Sequence, residues 1–436
     1  MLAALLAIGG GAVAAPGEQF EGVASCAGTT CHARLEGDGA VVRQDELARW
    51  QEPASATGAH SRAFSVLSGG RAQQIATTLG LGAATSAPAC LGCHATPTQT
   101  ARGPRFVVAD GVGCEACHGP ASRWIASHYA VGASHAANVA NGLVALDRPI
   151  VRANLCLDCH YGSAQPGQFV SHRMMAAGHP RVSFELALFS TLQLHYDEDA
   201  DYARRKGYSD DLRLWAVGQA VAVKRAASLF SGPRGNEGAF PEFYFFDCHS
   251  CHRRIYDQAS FDRSWEANGA RPIPAGMPPF NDENMILLSA AAKAAAPALA
   301  ARFDGDVRAF HLGIAGGRAT AIAASARLAA SADALASALD GVGASGDLAF
   351  AILDRIAAPA TTPRFTDYQG SVQAVMATDT LLSALIRQRR ITVGAAAGIR
   401  ADINRAYAAV REPNGYRPPA FRSALASAIQ SIRALR

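Results

Sequence analysis

The residues best equipped for chemistry in this 436-residue chain are its ten cysteines and thirteen histidines. The cysteines form five pairs, and a histidine follows each pair directly. They read Cys26-Ala-Gly-Thr-Thr-Cys31-His32, Cys90-Leu-Gly-Cys93-His94, Cys114-Glu-Ala-Cys117-His118, Cys156-Leu-Asp-Cys159-His160 and Cys248-His-Ser-Cys251-His252. No cysteine is left over. Disulfides, zinc and thioredoxin-like redox pairs all use paired cysteines, but none of them requires a histidine after every pair. Five such placements by chance have odds on the order of 10⁻⁸. C-x-x-C-H is the attachment sequence of c-type haem. Two thiols reach the two vinyl groups on one porphyrin edge, and the next imidazole swings beneath the ring to bind iron. The first pair has a four-residue spacer. A longer loop can still bring both sulfurs to the ring, so it reads as a variant of the same site.

Five haem c groups per chain would use Cys26, Cys31, Cys90, Cys93, Cys114, Cys117, Cys156, Cys159, Cys248 and Cys251 as thioether anchors. His32, His94, His118, His160 and His252 would be the proximal iron ligands. Eight histidines remain, and seven of them precede residue 253, in the stretch that holds the motifs. Such clustering suggests distal ligands. Iron with two imidazoles is low-spin and stays six-coordinate on reduction, which suits electron transfer. His60, His128, His135, His172 and His179 are the distal candidates. His128 and His135 are seven apart, as are His172 and His179, so a continuous helix would put each pair on one face. His195 is evenly balanced between ligand and structural residue. His249 lies inside a motif and is favoured as a non-ligand. His311, alone in the last third of the chain, reads as structural, and Met174 and Met175 as core residues.

Four segments resemble the cytochrome c-554 type of multihaem cytochrome. They are Gly22-Val-Ala-Ser-Cys26, Gly111-Val-Gly-Cys-Glu-Ala-Cys-His-Gly-Pro120, Gly178-His-Pro-Arg-Val-Ser-Phe-Glu-Leu186 and Phe246-Asp-Cys-His-Ser-Cys-His252. The likeness runs from Phe20 to about Trp265, a little over half the chain. It implies a mainly helical fold around closely packed haems, with stacked and angled haem pairs. It also implies periplasmic electron transfer, often near nitrogen or sulfur metabolism. Three features depart from the family pattern: a fifth motif, the expanded first motif and a long C-terminal region.

The elements that must position these groups are helical. Helices are expected at 62–79, 122–129, 147–161, 183–195 and 210–230, with Asp147 capping the third and Pro149 in its first turn. The helix from Asp210 is amphipathic and should pack on the haem core. Arg271 to Pro279 is proline-rich and reads as the start of a linker, 271–284, after a pentahaem domain at 16–270. Beyond it the chain is rich in Ala and Leu and has no cysteine. Runs at 285–302, 307–339, 347–356, 369–388, 396–411 and from Pro419 onward suggest an antiparallel bundle of four to six helices over 285–436. That bundle either covers the haem core or serves docking and oligomerisation. No stretch reads convincingly as a strand, so the fold class is mainly α.

Composition sets the remaining bounds. Hydrophobic residues are 49% and charged residues 17%, enough for a real core. Net charge is +4 without a long basic run, which gives nucleic-acid binding little support. Ten ionised propionates would take that charge to about −6. Lys206, Lys224 and Lys293 are the only lysines, so arginine supplies nearly all the positive charge. Arg34, Arg43, Arg253 and Arg254 lie close to motifs and are candidate propionate partners. Residues 1–15 end in Ala12-Val13-Ala14 and resemble a secretory signal without its usual basic start. No later stretch offers a stable membrane span by uninterrupted apolar length. Thioether attachment and the signal-like start agree on a periplasmic or extracellular protein. Relay between redox protein partners is the leading reading. A haem enzyme acting on a small nitrogen or sulfur compound at one five-coordinate iron is the second, and a protomer of a haem filament the third.

Overall fold

Glycine and proline punctuate the first half of the chain, and helices there stay short. The computed structural model describes residues 18–34, 44–97, 101–236, 239–252, 271–273, 277–343, 345–362 and 367–436. The signal-like segment, Arg43, Arg253, Arg254 and residues 274–276 of the proline-rich stretch lie outside the described residues. Among the described residues, ten helices precede residue 207: α1 (Glu46–Trp50), α2 (Gly70–Leu79), α3 (Pro88–His94), α4 (Cys114–His118), α5 (Ile125–His128), α6 (His135–Ala140), α7 (Pro149–His160), α8 (His172–Ala176), α9 (Leu186–Leu192) and α10 (Ala200–Lys206). Two-residue strands β1 (Gln19–Phe20) and β2 (Ala101–Arg102) pair in parallel. The structure is mainly helical with almost no strand.

From α11 (Asp211–Ser231) onward the helices lengthen. They are α12 (Glu283–Ala295), α13 (Pro297–Ala315), α14 (Arg318–Asp340), α15 (Gly346–Ala360), α16 (Tyr368–Arg387), α17 (Val393–Ala409) and α18 (Pro418–Arg433). The run expected at 285–302 is split by Pro297, which starts α13 where its missing N–H costs nothing. The run expected at 307–339 is split at Gly316 and Gly317, the latter at φ 97°. Among the described residues, seven helices therefore follow the proline-rich stretch, rather than four to six. Arg148, one residue later than expected, caps α7, with Pro149 in its first turn.

One apolar core runs from Ala153 to Ile432 and joins α7, α9 and α11 to the C-terminal helices. Trp215, Val217, Ala220, Val223 and Phe230 of α11 are buried, and apolar burial around most of its circumference marks a central helix. It packs on α14, α12, α7, α9 and α16. Small residues let the backbones approach: the Ser325 hydroxyl of α14 donates to the Ala227 carbonyl of α11 at 2.6 Å. By length and composition α14 is apolar enough to cross a membrane, but Ala321, Ala324, Leu328, Ala332 and Leu335 are buried in this core. The part of the chain that carries the first three motifs has, among the described residues, only a small apolar cluster of Leu67, Ala76 and Ala84. That little side-chain core leaves room for a bulky non-peptide filling between the short helices.

Candidate haem-binding sites

Three motifs end helices. Cys90, Cys93 and His94 lie on α3, Cys114, Cys117 and His118 on α4, and Cys156, Cys159 and His160 on α7. On a helix, positions i, i+3 and i+4 share a face, so both thiols and the imidazole point the same way. The fifth motif starts on a 3₁₀ turn at Cys248–Ser250, where the Asp247 carboxylate accepts from the Ser250 N–H at 3.1 Å. The expanded first motif cannot use a helical face, because its second cysteine falls at i+5. A loop closes it instead: Cys31 N–H donates to Gly28 O at 2.8 Å, and His32 N–H to Cys26 O at 3.3 Å. None of the ten cysteines is paired in a disulfide.

Every motif histidine faces a second histidine from elsewhere in the chain. Ring centroids are 6.3 Å apart for His32 and His128, 6.3 Å for His94 and His179, and 6.3 Å for His118 and His195. They are 6.0 Å apart for His160 and His60, and 6.2 Å for His252 and His172. Two imidazoles sharing one metal through bonds of about 2.0–2.1 Å would put their centroids ~6.3 Å apart. The five gaps therefore have the width of one axially ligated iron each. The planes are nearly parallel in the His32–His128 pair (9°), intermediate in His172–His252 (41°), and steep in the others (70–86°).

Hydrogen bonds orient several of these rings. The Nδ1 of His94 lies 2.7 Å from Ala63 O, that of His128 2.5 Å from Ile125 O, that of His179 2.7 Å from Pro180 O and that of His195 3.3 Å from Gln193 O. Carbonyls only accept, so each Nδ1 donates and leaves the Nε2 lone pair for a metal. The Nδ1 of His32 meets a carboxylate instead, Glu46 Oε2 at 3.2 Å. Burial pushes His118 and His160 down to about 4 and also lowers His60, His179 and His195, which keeps these imidazoles neutral in the chain. His32 is raised by its contact with Glu46.

Thiols from different motifs also meet. Cys26 and Cys114 lie close enough to shift each other's titration, as do Cys93 and Cys159. The Cys93–Cys159 contact needs two glycines. A Cβ on Gly92 would lie 2.6 Å from the Gly167 carbonyl carbon, and one on Gly167 would lie 2.2 Å from Pro88 O. Cys117 is close enough to raise Cys156, although burial is the larger cause. The sulfur-bearing edges of the first and third sites are thus adjacent, as are those of the second and fourth, with the third next to the fourth.

The fifth site is built on the C-terminal helices. The Tyr368 N–H donates to the Asp247 carboxylate at 2.9 Å, and Cys248 N–H to Gln369 Oε1 of α16 at 3.2 Å. His249 Nδ1 donates to Pro413 O at 2.9 Å. Opposite, His172 N–H donates to Glu242 Oε1 at 2.9 Å. Buried beneath the site, Arg271 pairs with Asp282 and, at 2.8 Å, with Asp367, and His311 lies 3.2 Å from Asp282.

Four of the five distal candidates stand opposite a motif histidine; His135 does not. It is exposed, with Nε2 3.1 Å from Asp147. Its seven-residue spacing from His128 fails because the helix breaks: α5 ends at His128, Gly132 takes φ 81°, and Ser134 caps a new helix. The place facing His118 belongs to His195, beyond the end of α9. Its local sequence, Gln-Leu-His-Tyr, carries no ligand signal beyond the histidine itself.

Residues 25–119 match the family model "Cytochrome c554 and c-prime", a segment that includes the first three motifs. Comparison with curated proteins and with solved structures returned no match. Over that segment the chain resembles the cytochrome c-554 family, whose members are c-type cytochromes with covalently bound haem c.

Proposed function

We propose that this chain is a c-type cytochrome that carries five haems, each between one motif histidine and its facing histidine, and relays electrons through them between redox protein partners outside the cytoplasm. The observation that carries the reading is the set of five imidazole pairs at 6.0–6.3 Å. Haem iron supplies one-electron exchange between ferric and ferrous states, and two imidazoles keep its coordination unchanged. The proposed distal ligands are His128, His179, His195, His60 and His172, for the motifs in chain order. His195 here takes the place that sequence spacing offered to His135.

The chain's contribution is positional. The motif helices and loops hold the thiols and one imidazole, backbone carbonyls fix the ring tautomers, and the packed edges set the order of exchange. The thiol contacts favour a path through the first, third, fourth and second sites. The fifth lies against the helical bundle. An enzyme acting on a small molecule would need an iron with an open position, and the facing imidazole at each site speaks against one. Mass spectrometry of the matured protein tests the count, and carbon monoxide tests the coordination. Five porphyrin masses and spectra insensitive to carbon monoxide are expected. Fewer porphyrins, or a haem that binds the gas readily, would overturn the count or the relay respectively.

A further inference from the structure

The His32–His128 pair differs from the other four in two independent ways. Its imidazole planes are nearly parallel, at 9°. Its motif histidine donates to a carboxylate, with Glu46 Oε2 3.2 Å from His32 Nδ1. The other Nδ1 hydrogen bonds described within the five pairs run to neutral backbone carbonyls. Glu46 is well fixed for this task. Its side chain is 23% exposed, and the next residue's N–H donates to His32 O at 2.9 Å, locking α1 against the motif. The nearby Arg49 is paired with Asp45 and Asp197, so its charge is engaged elsewhere.

A carboxylate that takes part of the Nδ1 proton makes the ring a stronger donor through Nε2. That negative charge stabilises ferric iron, with its extra positive charge, more than ferrous iron. We infer that Glu46 is a positioning residue that holds the haem between His32 and His128 at the low-potential end of the five. This rests on the proposed haem at that site. Because Cys26 lies near Cys114, an electron placed on the first haem would run downhill into the third, which makes the first site the donor-side end.

The parallel planes supply the readout. Near-parallel bis-imidazole iron gives a rhombic ferric spectrum in electron paramagnetic resonance. Steeply crossed pairs give a single large-g feature. In a redox titration of the full-length matured protein, the rhombic signal is expected to be the last to disappear on reduction. In Glu46→Gln its midpoint should rise by about 59 mV, equivalent to about a tenfold change in the ferric-to-ferrous ratio for a one-electron couple. The crossed-pair signals should move less than the rhombic one, the His118–His195 site most among them because Glu46 also acts on His195, and Glu46→Asp, which keeps the carboxylate, should restore most of the wild-type value. A rhombic signal lost first in the wild type, or an unmoved midpoint in Glu46→Gln, overturns the inference. The wild-type titration decides even if the variant does not mature. Porphyrin missing from Cys26 and Cys31 would sink the haem assignment itself, whereas porphyrin present with an unmoved midpoint sinks only the role of Glu46.

Discussion

At the scale of single residues, the chemistry lies in which nitrogen faces which. His118 and His195 are separated by 77 positions of chain, yet their rings are 6.3 Å apart. His195→Ala removes one imidazole and leaves the proximal one. The expected result is one high-spin, carbon-monoxide-binding haem in five, read by optical difference spectra. His135→Ala serves as the control. Its side chain is exposed beside Asp147, so the same spectra should not change. A carbon monoxide response in the His135 variant rather than the His195 variant would reverse the assignment.

At the scale of elements, close approaches and caps decide the geometry. Gly92 on α3 lies so close to Gly167 that a Cβ would sit 2.6 Å from backbone atoms. Gly92→Ala should therefore cost about 1–3 kcal/mol through overpacking. It should also weaken the spectroscopic coupling between the second and fourth haems, as Cys93 is pushed from Cys159. A variant with wild-type melting temperature and coupling would contradict this. Glu185 caps α9, accepting from the N–H groups of Ala187 and Leu188 at 2.8 Å and from Thr380 of α16 at 2.6 Å. Burial raises it to about 7 from an ordinary 4.5. Between those values the folded chain binds more protons than the unfolded one, so this group's contribution to stability falls as pH rises. Glu185→Gln, which does not titrate, should abolish this fall of about 3 kcal/mol in stability between about pH 4.5 and 7. Urea unfolding of both proteins across that range would check the sign.

The spacing rule for histidines fails at this same scale. Seven residues return to one helical face only if the helix continues. Gly132, in the loop beyond α5, and Gly178, just past the end of α8, take positive φ and send the second histidine of each pair elsewhere. His179 therefore faces His94 while His172 faces His252. Both partners were recognisable as histidines in a motif-rich stretch, but the backbone turns that separate them were not legible from periodicity.

Across the whole molecule, one apolar core spans residues on both sides of the proline-rich stretch. α11 lies before that stretch and packs against α12 and α14 beyond it, so the C-terminal helices support the fifth site as well as covering the centre. A chain ending at 282 would expose the buried faces of α11 and remove Tyr368 and Gln369, which hold Asp247 and Cys248. It should lose the fifth porphyrin and much of its solubility. A soluble truncated protein with five porphyrin masses would show that the bundle is dispensable.

Read alone, the sequence determined which cysteines and histidines are spaced for thioether attachment, because each motif occupies five to seven consecutive residues. It also determined the helical class, since the Ala- and Leu-rich runs, glycines and prolines act over a few turns. Only the tertiary structure decided which histidine meets which, why Glu46 touches His32, and how the helices on either side of the prolines share one core. Those are contacts between distant segments, set by where backbones turn and how side chains pack, and no local pattern encodes them.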